Sequence, residues 1–197
     1  MRLAIIDNGG ANVASLKFAF ERLQCDPIVT TDAATVRNAT HVVLPGVGAA
    51  ADAMARLHAS GLAAVIPELQ QPVLGICLGM QLLFEYSAEG GTPCLRAIPG
   101  VATQMTAATD RPVPHMGWNQ LQIGRGSALL DGIHTGEYVY FVHSYAVAVG
   151  AATVASCHYG QEFSAVVASR NFHGTQFHPE RSAATGARVL ANFLSLA

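Results

Sequence analysis

Short apolar runs alternate with helical patterns over the first half of the chain. The run Leu3–Ile6 is followed at once by polar residues and glycines, as expected of a buried strand that ends in a turn. Further on, Val13, Leu16, Phe20 and Leu23 recur every three or four residues, which places one apolar stripe on a helix. The same criteria predict strands at 27–31, 42–44 and 73–76, a helical segment at 49–70 with breaks near 60–61 and 67, and a helix at 78–86.

The pattern changes after residue 87. Segments rich in Val, Tyr, Phe and Thr, joined by Gly-containing turns, predict antiparallel strands at 101–106, 117–123, 138–149, 152–158, 162–169 and 172–177. A final helix is expected over 183–196, with Leu190, Phe193 and Leu194 on its inner side. We therefore expect an α/β fold: a three-layer open, mostly parallel sheet flanked by helices, with an antiparallel extension in the second half. Residues 1–197 are expected to form a single domain.

Composition and charge narrow the class of protein. Hydrophobic residues make up 51% of the 197 residues and charged residues 12%, which excludes a disordered chain. The formal net charge is −2 and no basic run stands out. Because nucleic acids and anionic membranes both require clustered positive charge, neither is expected as a partner.

Cysteine usage and hydropathy indicate the compartment. No apolar run approaches the ~20 residues that cross a bilayer, and the N-terminal run is too short for a secretory signal. The cysteines contain no CxxC pair and are expected to be reduced thiols; they are Cys25, Cys77, Cys94 and Cys157. The chain is therefore expected to be a soluble cytoplasmic domain.

The strongest local signal surrounds Cys77. An apolar strand leads into Gly75-x-Cys77-x-Gly79 and then into a helical run, the arrangement of a nucleophile elbow with Cys in the place of Ser. Such a turn brings backbone atoms close together, which requires glycines, and exposes the sulfur above the sheet edge. The N–H of Leu78, at a helix N-terminus, would favour a thiolate and later an oxyanion. The alternative, that Cys77 is a small buried hydrophobe, stays open on this segment alone.

A thiol nucleophile needs a base, and one histidine has a suitable neighbour. In His178-Pro179-Glu180, an extended backbone would project the imidazole and the carboxylate to the same side. Glu180 would then hold one ring nitrogen while the other faces Cys77, as in a catalytic triad. Taken alone, such a tripeptide is more often an ordinary loop. No metal is expected, because no spacing typical of metal ligands is present. No cofactor is expected either.

A third element follows the strand 42–44. Gly46 and Gly48 would let a backbone N–H near Val47 approach a substrate oxygen, which makes this turn a candidate second oxyanion donor. A plain turn is the alternative. All three elements lie where predicted strands end, and ligands bind at that edge of open α/β sheets.

Together, residues 45–48, 75–81 and 178–180 resemble the motifs of class I glutamine amidotransferases, in which a Cys-His-Glu triad hydrolyses the side-chain amide of glutamine. The motifs follow the family order along nearly the whole chain. Four segments are similar to those of the glutaminase subunits of imidazole glycerol phosphate synthase, from histidine biosynthesis: GICLGMQ at 75–81, PHMGWN at 114–119, YFVHSY at 140–145 and QFHPERS at 176–182. The resemblance implies the family's fold, with a flavodoxin-like core.

The resemblance also implies catalytic roles. Cys77 would be the nucleophile, His178 the general acid and base, and Glu180 the residue that orients His178. The resemblance places three residues around the oxyanion through their backbone: Val47, Gly48 and Leu78.

The resemblance further implies how glutamine is held. Gln81 and Glu89 would hold the substrate, with Glu89 pairing with its α-ammonium group. The backbone at Ser144 and Tyr145 would take the α-carboxylate. For His143 two interpretations remain open: a strand histidine bonded to backbone, or a group near the exit for ammonia.

Two partners are implied: L-glutamine, and a (βα)₈-barrel cyclase subunit that receives ammonia through its core within a heterodimer. The resemblance places four residues at the interface with the cyclase: Asn12, Trp118, Asn119 and Arg181. The chain departs from the family in the loop after the first strand, where Asn8 replaces Tyr and Ala11 replaces Gly. The shape of that loop is therefore expected to differ.

Three other functions remain possible on the sequence alone. The chain could be a glutaminase that feeds a different pathway, or a stand-alone cysteine hydrolase such as a γ-glutamyl peptidase. It could also be a catalytically silent subunit that regulates a cyclase, although the intact set of Cys77, His178 and Glu180 argues against this.

Overall fold

A large mixed sheet lies at the centre of the molecule, in a computed structural model that describes residues 1–9 and 13–197. The first half of the chain alternates strands and helices: β1 Leu3–Ile6, α1 Val13–Arg22, β2 Ile28–Thr30, α2 Ala33–Asn38, β3 His41–Gly46, α3 Ala50–Ala59, α4 Leu62–Val65, β4 Val73–Cys77 and α5 Leu78–Leu82.

The second half is mostly strand. Its elements are β5 Tyr86–Ser87, β6 Thr92–Pro93, β7 Val101–Gln104, β8 His115–Gln120, β9 Gln122–Ile123, β10 Tyr138–His143, β11 Tyr145–Val147, β12 Thr153–His158, β13 Glu162–Ser169, β14 Phe172–Thr175 and α6 Ala183–Leu194. Short 3-10 turns occur at Ile66–Glu68, Glu89–Gly91, Ala128–Leu130 and Pro179–Arg181.

The large sheet has eight strands in the order β2-β1-β3-β4-β14-β13-β12-β9. The five neighbouring strands β2, β1, β3, β4 and β14 pair in parallel. Strands β13, β12 and β9 extend the sheet with antiparallel pairs. Two smaller sheets accompany it: a ribbon of β10 and β8, and a four-stranded sheet in the order β11-β7-β5-β6. The expected three-layer, mostly parallel sheet with an antiparallel extension is confirmed.

Both faces of the central strands are buried, as their unbroken apolar runs require. Side chains alternate between two hydrophobic clusters: Leu3 and Ile5 of β1 lie in the cluster that contains Phe20 of α1 and Phe193 of α6. Ile6 lies in the opposite cluster, with residues of α3 and α4. Helices therefore cover the sheet on both sides.

Two expectations about elements need correction, and one short helix was missed. The helix predicted at 78–86 ends at Leu82. The carbonyl groups of residues 82–84 accept from backbone N–H groups of residues 95–98 and not from a further helical turn. The last predicted strand, 172–177, is antiparallel only to β13; on its other side β14 runs parallel to β4. The short helix α2, which Asp32 caps by accepting from Thr35 N, was not predicted because six residues carry little periodicity.

No helix among residues 1–9 and 13–197 is long and apolar enough to span a membrane. Within the same residues, no group of three or more His, Cys, Asp and Glu side chains could hold a metal ion.

Glycines let α5 lie directly on two strands. A Cβ at Gly79 would be 1.8 Å from the carbonyl oxygen of Leu44 in β3, and a Cβ at Gly75 would be 2.7 Å from the Gly79 oxygen. Gly46 is equally restricted, since its Cβ would be 2.7 Å from the Gly79 nitrogen. The close approach expected at Gly75 and Gly79 is confirmed, and it sets where the helix begins.

We expect Gly79→Ala to lower the free energy of unfolding by about 3 kcal/mol, because the added methyl group must displace backbone atoms of β3. Gly126→Ala is the matched control, since its Cβ would meet open space. Chemical denaturation measures both variants. Equal stability of the two variants would show that α5 can move away from the sheet at little cost.

Candidate active site

Cys77 sits at the apex of the turn between β4 and α5 in an unusual backbone conformation. Its φ is 54° and its ψ is −112°, which is a strained conformation for a residue with a side chain. Only 7% of its surface is exposed, and it lines a cavity of about 230 Å³. The turn therefore presents the sulfur to the cavity, as the nucleophile-elbow pattern predicts.

His178 and Glu180 lie beside this cavity and are joined by a hydrogen bond. His178 Nδ1 is 2.9 Å from Glu180 Oε1, and the two side chains are 3% and 0% exposed. The expectation of a fully extended tripeptide is wrong in detail, because Pro179–Arg181 forms a 3-10 turn. The carboxylate nevertheless reaches the ring, since His178 itself is extended and only the following residues turn.

The backbone of His178 is anchored on both sides. Its N–H donates to Tyr140 O at 2.9 Å, and its carbonyl accepts from Ser182 Oγ at 2.7 Å. Helix α6 packs against the same turn, because a Cβ at Gly186 would be 1.9 Å from Pro179 O. These contacts fix the direction of the imidazole before any substrate arrives.

The electrostatics of His178 differ from those of an ordinary buried histidine. Burial alone would lower its pKa, but side-chain hydrogen bonds and charge interactions with Cys77 and Glu180 outweigh burial and raise the pKa to about 10. The ring therefore holds a proton at neutral pH while it faces the sulfur. A positive imidazolium beside Cys77 favours the thiolate, which is the nucleophilic form.

The predicted oxyanion residues lie around the same cavity. Val47 and Gly48 line it from the turn after β3, and Leu78 lines it from the start of α5. Gly48 has a φ of +89°, and its Cβ would meet nothing within 4 Å. Gly46 serves a different purpose from the one expected, since it is packed against Gly79 and does not line the cavity.

Glu89 lines the cavity and also caps a helix. Its Oε2 accepts from Ala50 N at 2.8 Å, at the first residue of α3. Ala49, the N-cap residue of α3, has no side chain that could accept this hydrogen bond. The helix N-terminus thus holds the carboxylate in place at the cavity wall.

The backbone at Ser144 and Tyr145 borders the cavity, and its carbonyl groups bond within the protein. Ser144 O accepts from Met105 N at 2.9 Å, and Tyr145 O accepts from Gln81 Nε2 at 2.8 Å. Carbonyl oxygens accept and cannot bind an anion, so the N–H groups are what this segment can offer to one.

Two buried histidines support the Tyr145 carbonyl. His143 Nδ1 lies 2.9 Å from Tyr145 O, which can only accept, so this nitrogen carries the proton. His143 Nε2 then accepts from His115 Nδ1 at 3.0 Å. Burial lowers the pKa of His143 to about 3 and that of His115 to about 4, so both rings are neutral. The backbone-bonded interpretation of His143 is the one this geometry supports.

The predicted interface residues divide between two faces of the β8–β10 ribbon. Trp118 is 51% exposed, and its ring is 5.9 Å from that of Tyr140. Arg181 also lies over this tyrosine, 5.0 Å from its ring centroid. Asn119 lies on the inner face, where its amide donates to His158 O at 3.0 Å. Asn12 lies outside the described residues.

Sequence reasoning missed one residue that touches the nucleophile. Gln176 is fully buried, and its Nε2 lies 3.7 Å from Cys77 Sγ. It belongs to the motif QFHPERS, in which no role was predicted for it. Its position within the predicted strand 172–177, two residues before His178, was the available signal.

Comparison with known proteins shows the family to which the chain belongs. The chain matches the glutamine amidotransferase class-I family over residues 4–196. It is 55% identical over 194 residues to imidazole glycerol phosphate synthase subunit HisH of Xanthomonas campestris pv. campestris (strain 8004), covering 98% of this chain and 97% of that protein. The protein of the same name from Xylella fastidiosa (strain 9a5c) is 51% identical over the same shares.

Solved structures share the fold at low identity. A crystal structure of a glutamine amidotransferase has a TM-score of 0.76 at 16% identity, over 99% of this chain and 98% of that chain. The structure of PurLQS from Thermotoga maritima has a TM-score of 0.70 at 18% identity, over 98% and 97% of the two chains. Because the family match spans nearly the whole chain and the sequence relatives share half of its residues, the chain belongs to the class I glutamine amidotransferase family and, within it, to the HisH group.

Proposed function

We propose that this chain is the glutaminase subunit of an imidazole glycerol phosphate synthase and that residues 1–197 act as one glutamine amidotransferase domain. It hydrolyses L-glutamine to glutamate and ammonia and passes the ammonia to a cyclase subunit, which forms imidazole glycerol phosphate and aminoimidazole carboxamide ribonucleotide. The observation that carries the proposal is the buried Cys77–His178–Glu180 set beside one cavity. The HisH relatives supply the pathway.

Acylation begins with the thiolate of Cys77. The sulfur attacks the side-chain amide carbon of glutamine, and the carbonyl oxygen becomes an oxyanion. Backbone N–H groups at Leu78 and in the Val47–Gly48 turn are the proposed donors to this oxygen, because all three residues line the cavity with Cys77.

His178 then acts as the general acid. Once the sulfur is bonded to carbon it no longer carries a negative charge, so the charge interaction with Cys77 that raises the pKa of His178 is lost. The imidazolium therefore gives its proton to the departing amide nitrogen more easily, and ammonia leaves. Neutral His178 next takes a proton from water, whose oxygen attacks the γ-glutamyl thioester and releases glutamate and the thiolate.

Substrate groups match the fixed polar groups of the cavity. The helix-anchored carboxylate of Glu89 is the proposed partner of the α-ammonium group. The N–H groups at Ser144 and Tyr145 are the proposed donors to the α-carboxylate. Gln81 uses its amide nitrogen within the protein, so only its carbonyl oxygen is proposed to contact the substrate.

The proposed cyclase is a (βα)₈ barrel that docks against the exposed face of the β8–β10 ribbon. Aromatic and guanidinium groups are enriched at the energetic centre of interfaces, and Trp118, Tyr140 and Arg181 form such a cluster here. Asn119 faces inward, so we do not assign it to this surface.

The cytoplasm is the proposed compartment, since each of the four cysteines is a free thiol.

We expect Cys77→Ser to abolish glutamine-dependent synthesis by the complex with the cyclase and to leave ammonia-dependent synthesis intact, because only the glutaminase step needs the thiolate. Cys25→Ser is the control, since Cys25 is half-buried and lies outside the cavity. Product formation with each nitrogen source measures the effect. Loss of both activities would refute the assigned role, and full turnover of glutamine by the isolated chain would favour a stand-alone hydrolase.

We expect Glu180→Gln to move the alkaline limb of the pH profile to lower pH. The carboxylate helps to keep the pKa of His178 raised, so the wild-type ring loses its proton only as the pH rises towards about 10. Without that charge the ring loses its proton at lower pH. The measurement is kcat/KM for glutamine between pH 6 and pH 10, with Glu162→Gln as an exposed control. An unmoved alkaline limb would contradict the proton-holding role of His178.

We expect Trp118→Ala to weaken cyclase binding by about 2 kcal/mol, or roughly thirtyfold in Kd, because the variant removes a large exposed aromatic group from the proposed surface. Val149→Ala is the control, since Val149 is 48% exposed and lies outside the ribbon. Titration calorimetry with the cyclase compares the two. Equal affinities would remove this face from the proposed interface.

A further inference from the structure

The sulfur of Cys77 is contacted from inside the protein as well as from the His178 side. Gln176 Nε2 lies 3.7 Å from Sγ, a distance suited to an N–H···S hydrogen bond. Sheet pairing explains the contact, because β14 runs parallel to β4 with Thr175 opposite Ile76. The residues that follow these two, Gln176 and Cys77, therefore lie side by side.

The orientation of the Gln176 amide follows from the groups around it. Tyr145 O can only accept hydrogen bonds, so the Gln81 group 2.8 Å away is its NH₂. The same Gln81 nitrogen lies 2.9 Å from Gln176 Oε1 and donates its second hydrogen there. The other end of the Gln176 amide, turned towards the sulfur, must therefore be the N–H donor.

Burial makes this contact specific. Gln176 is 0% exposed and Gln81 is 3% exposed, so water does not replace either donor. The other near neighbour of the sulfur from the backbone is Val142 O, at 3.6 Å, which is an acceptor and does not favour a thiolate. A neutral amide donor offsets that unfavourable contact without itself titrating.

We propose that Gln176 is a further catalytic residue, whose Nε2–H donates to the Cys77 thiolate and holds it towards the substrate amide. Gln81 is a positioning residue that acts through Gln176 by fixing which end of that amide meets the sulfur. The proposal rests on the glutaminase function proposed above. The amide transfers no proton: its hydrogen bond weakens as the sulfur–carbon bond forms and returns when water releases the thiolate.

The test is the rate at which iodoacetamide alkylates Cys77 at pH 7, followed by mass spectrometry of the peptide that contains it. Gln176→Met keeps the length of the side chain and removes the donor; we expect about tenfold slower alkylation. Gln176→Glu keeps the shape and places an acceptor at the sulfur; we expect a larger loss. The exposed control, Gln161→Glu, should alkylate at the wild-type rate.

Catalysis provides a second measurement. We expect kcat for glutamine hydrolysis in the cyclase complex to fall in parallel with the alkylation rate, with KM changed less than about twofold, because Gln176 contacts the sulfur and does not line the cavity. A role in packing alone predicts a Gln176→Met variant with the wild-type alkylation rate, and that result would overturn the proposal.

Gln81→Glu tests the same contact with residue 176 unchanged. A carboxylate at 81 cannot donate to Gln176 Oε1, so the Gln176 amide should turn over and present its oxygen to the sulfur. We expect slower alkylation, and an unchanged rate would overturn the proposal even if the variants at 176 fail to fold. Alkylation does not require glutamine turnover, so a wild-type complex with the cyclase that lacks glutaminase activity would refute the proposed function separately.

Discussion

The backbone of α5 touches the backbone of β3 at Gly79, where a Cβ would be 1.8 Å from Leu44 O. This contact allows the chain to leave β4 and start a helix within one residue, which forces Cys77 into its positive-φ conformation. A strained conformation persists only where its surroundings over-determine it, and here the sheet and the helix both do so. The position of the sulfur is therefore a consequence of packing between glycines.

Burial has opposite effects on the histidines near this sulfur. His143 and His115 are buried among aromatic rings and bond to one another and to a carbonyl, so their pKa values fall and they stay neutral. His178 is equally buried, but it bonds to a carboxylate and to the nucleophile, and its pKa rises. Of these three histidines, only His178 is therefore protonated at neutral pH, and it is the one placed for acid–base chemistry at Cys77.

The Tyr145 carbonyl joins the binding and catalytic parts of the cavity. It accepts from Gln81 on one side and from His143 on the other, at 2.8 and 2.9 Å. Gln81 in turn donates to Gln176, whose amide contacts Cys77. His143 accepts from His115 of β8, and the other face of this β8–β10 ribbon is proposed to bind the cyclase. Hydrogen bonds therefore connect the backbone at Ser144 and Tyr145 both to the Cys77 site and to the β8–β10 ribbon.

Local features were sufficient to predict the buried strands β1, β3 and β4, the turn at Cys77 and the pairing of His178 with Glu180, because each depends on residues close in sequence. Contacts between distant segments were not predictable in this way. The parallel alignment of β14 with β4, the capping of α3 by Glu89, the inward direction of Asn119 and the reach of Gln176 to the sulfur all join residues far apart in the chain. Hydrophobic periodicity reports which face of an element is buried, whereas the partner that meets a polar group depends on how the elements pack.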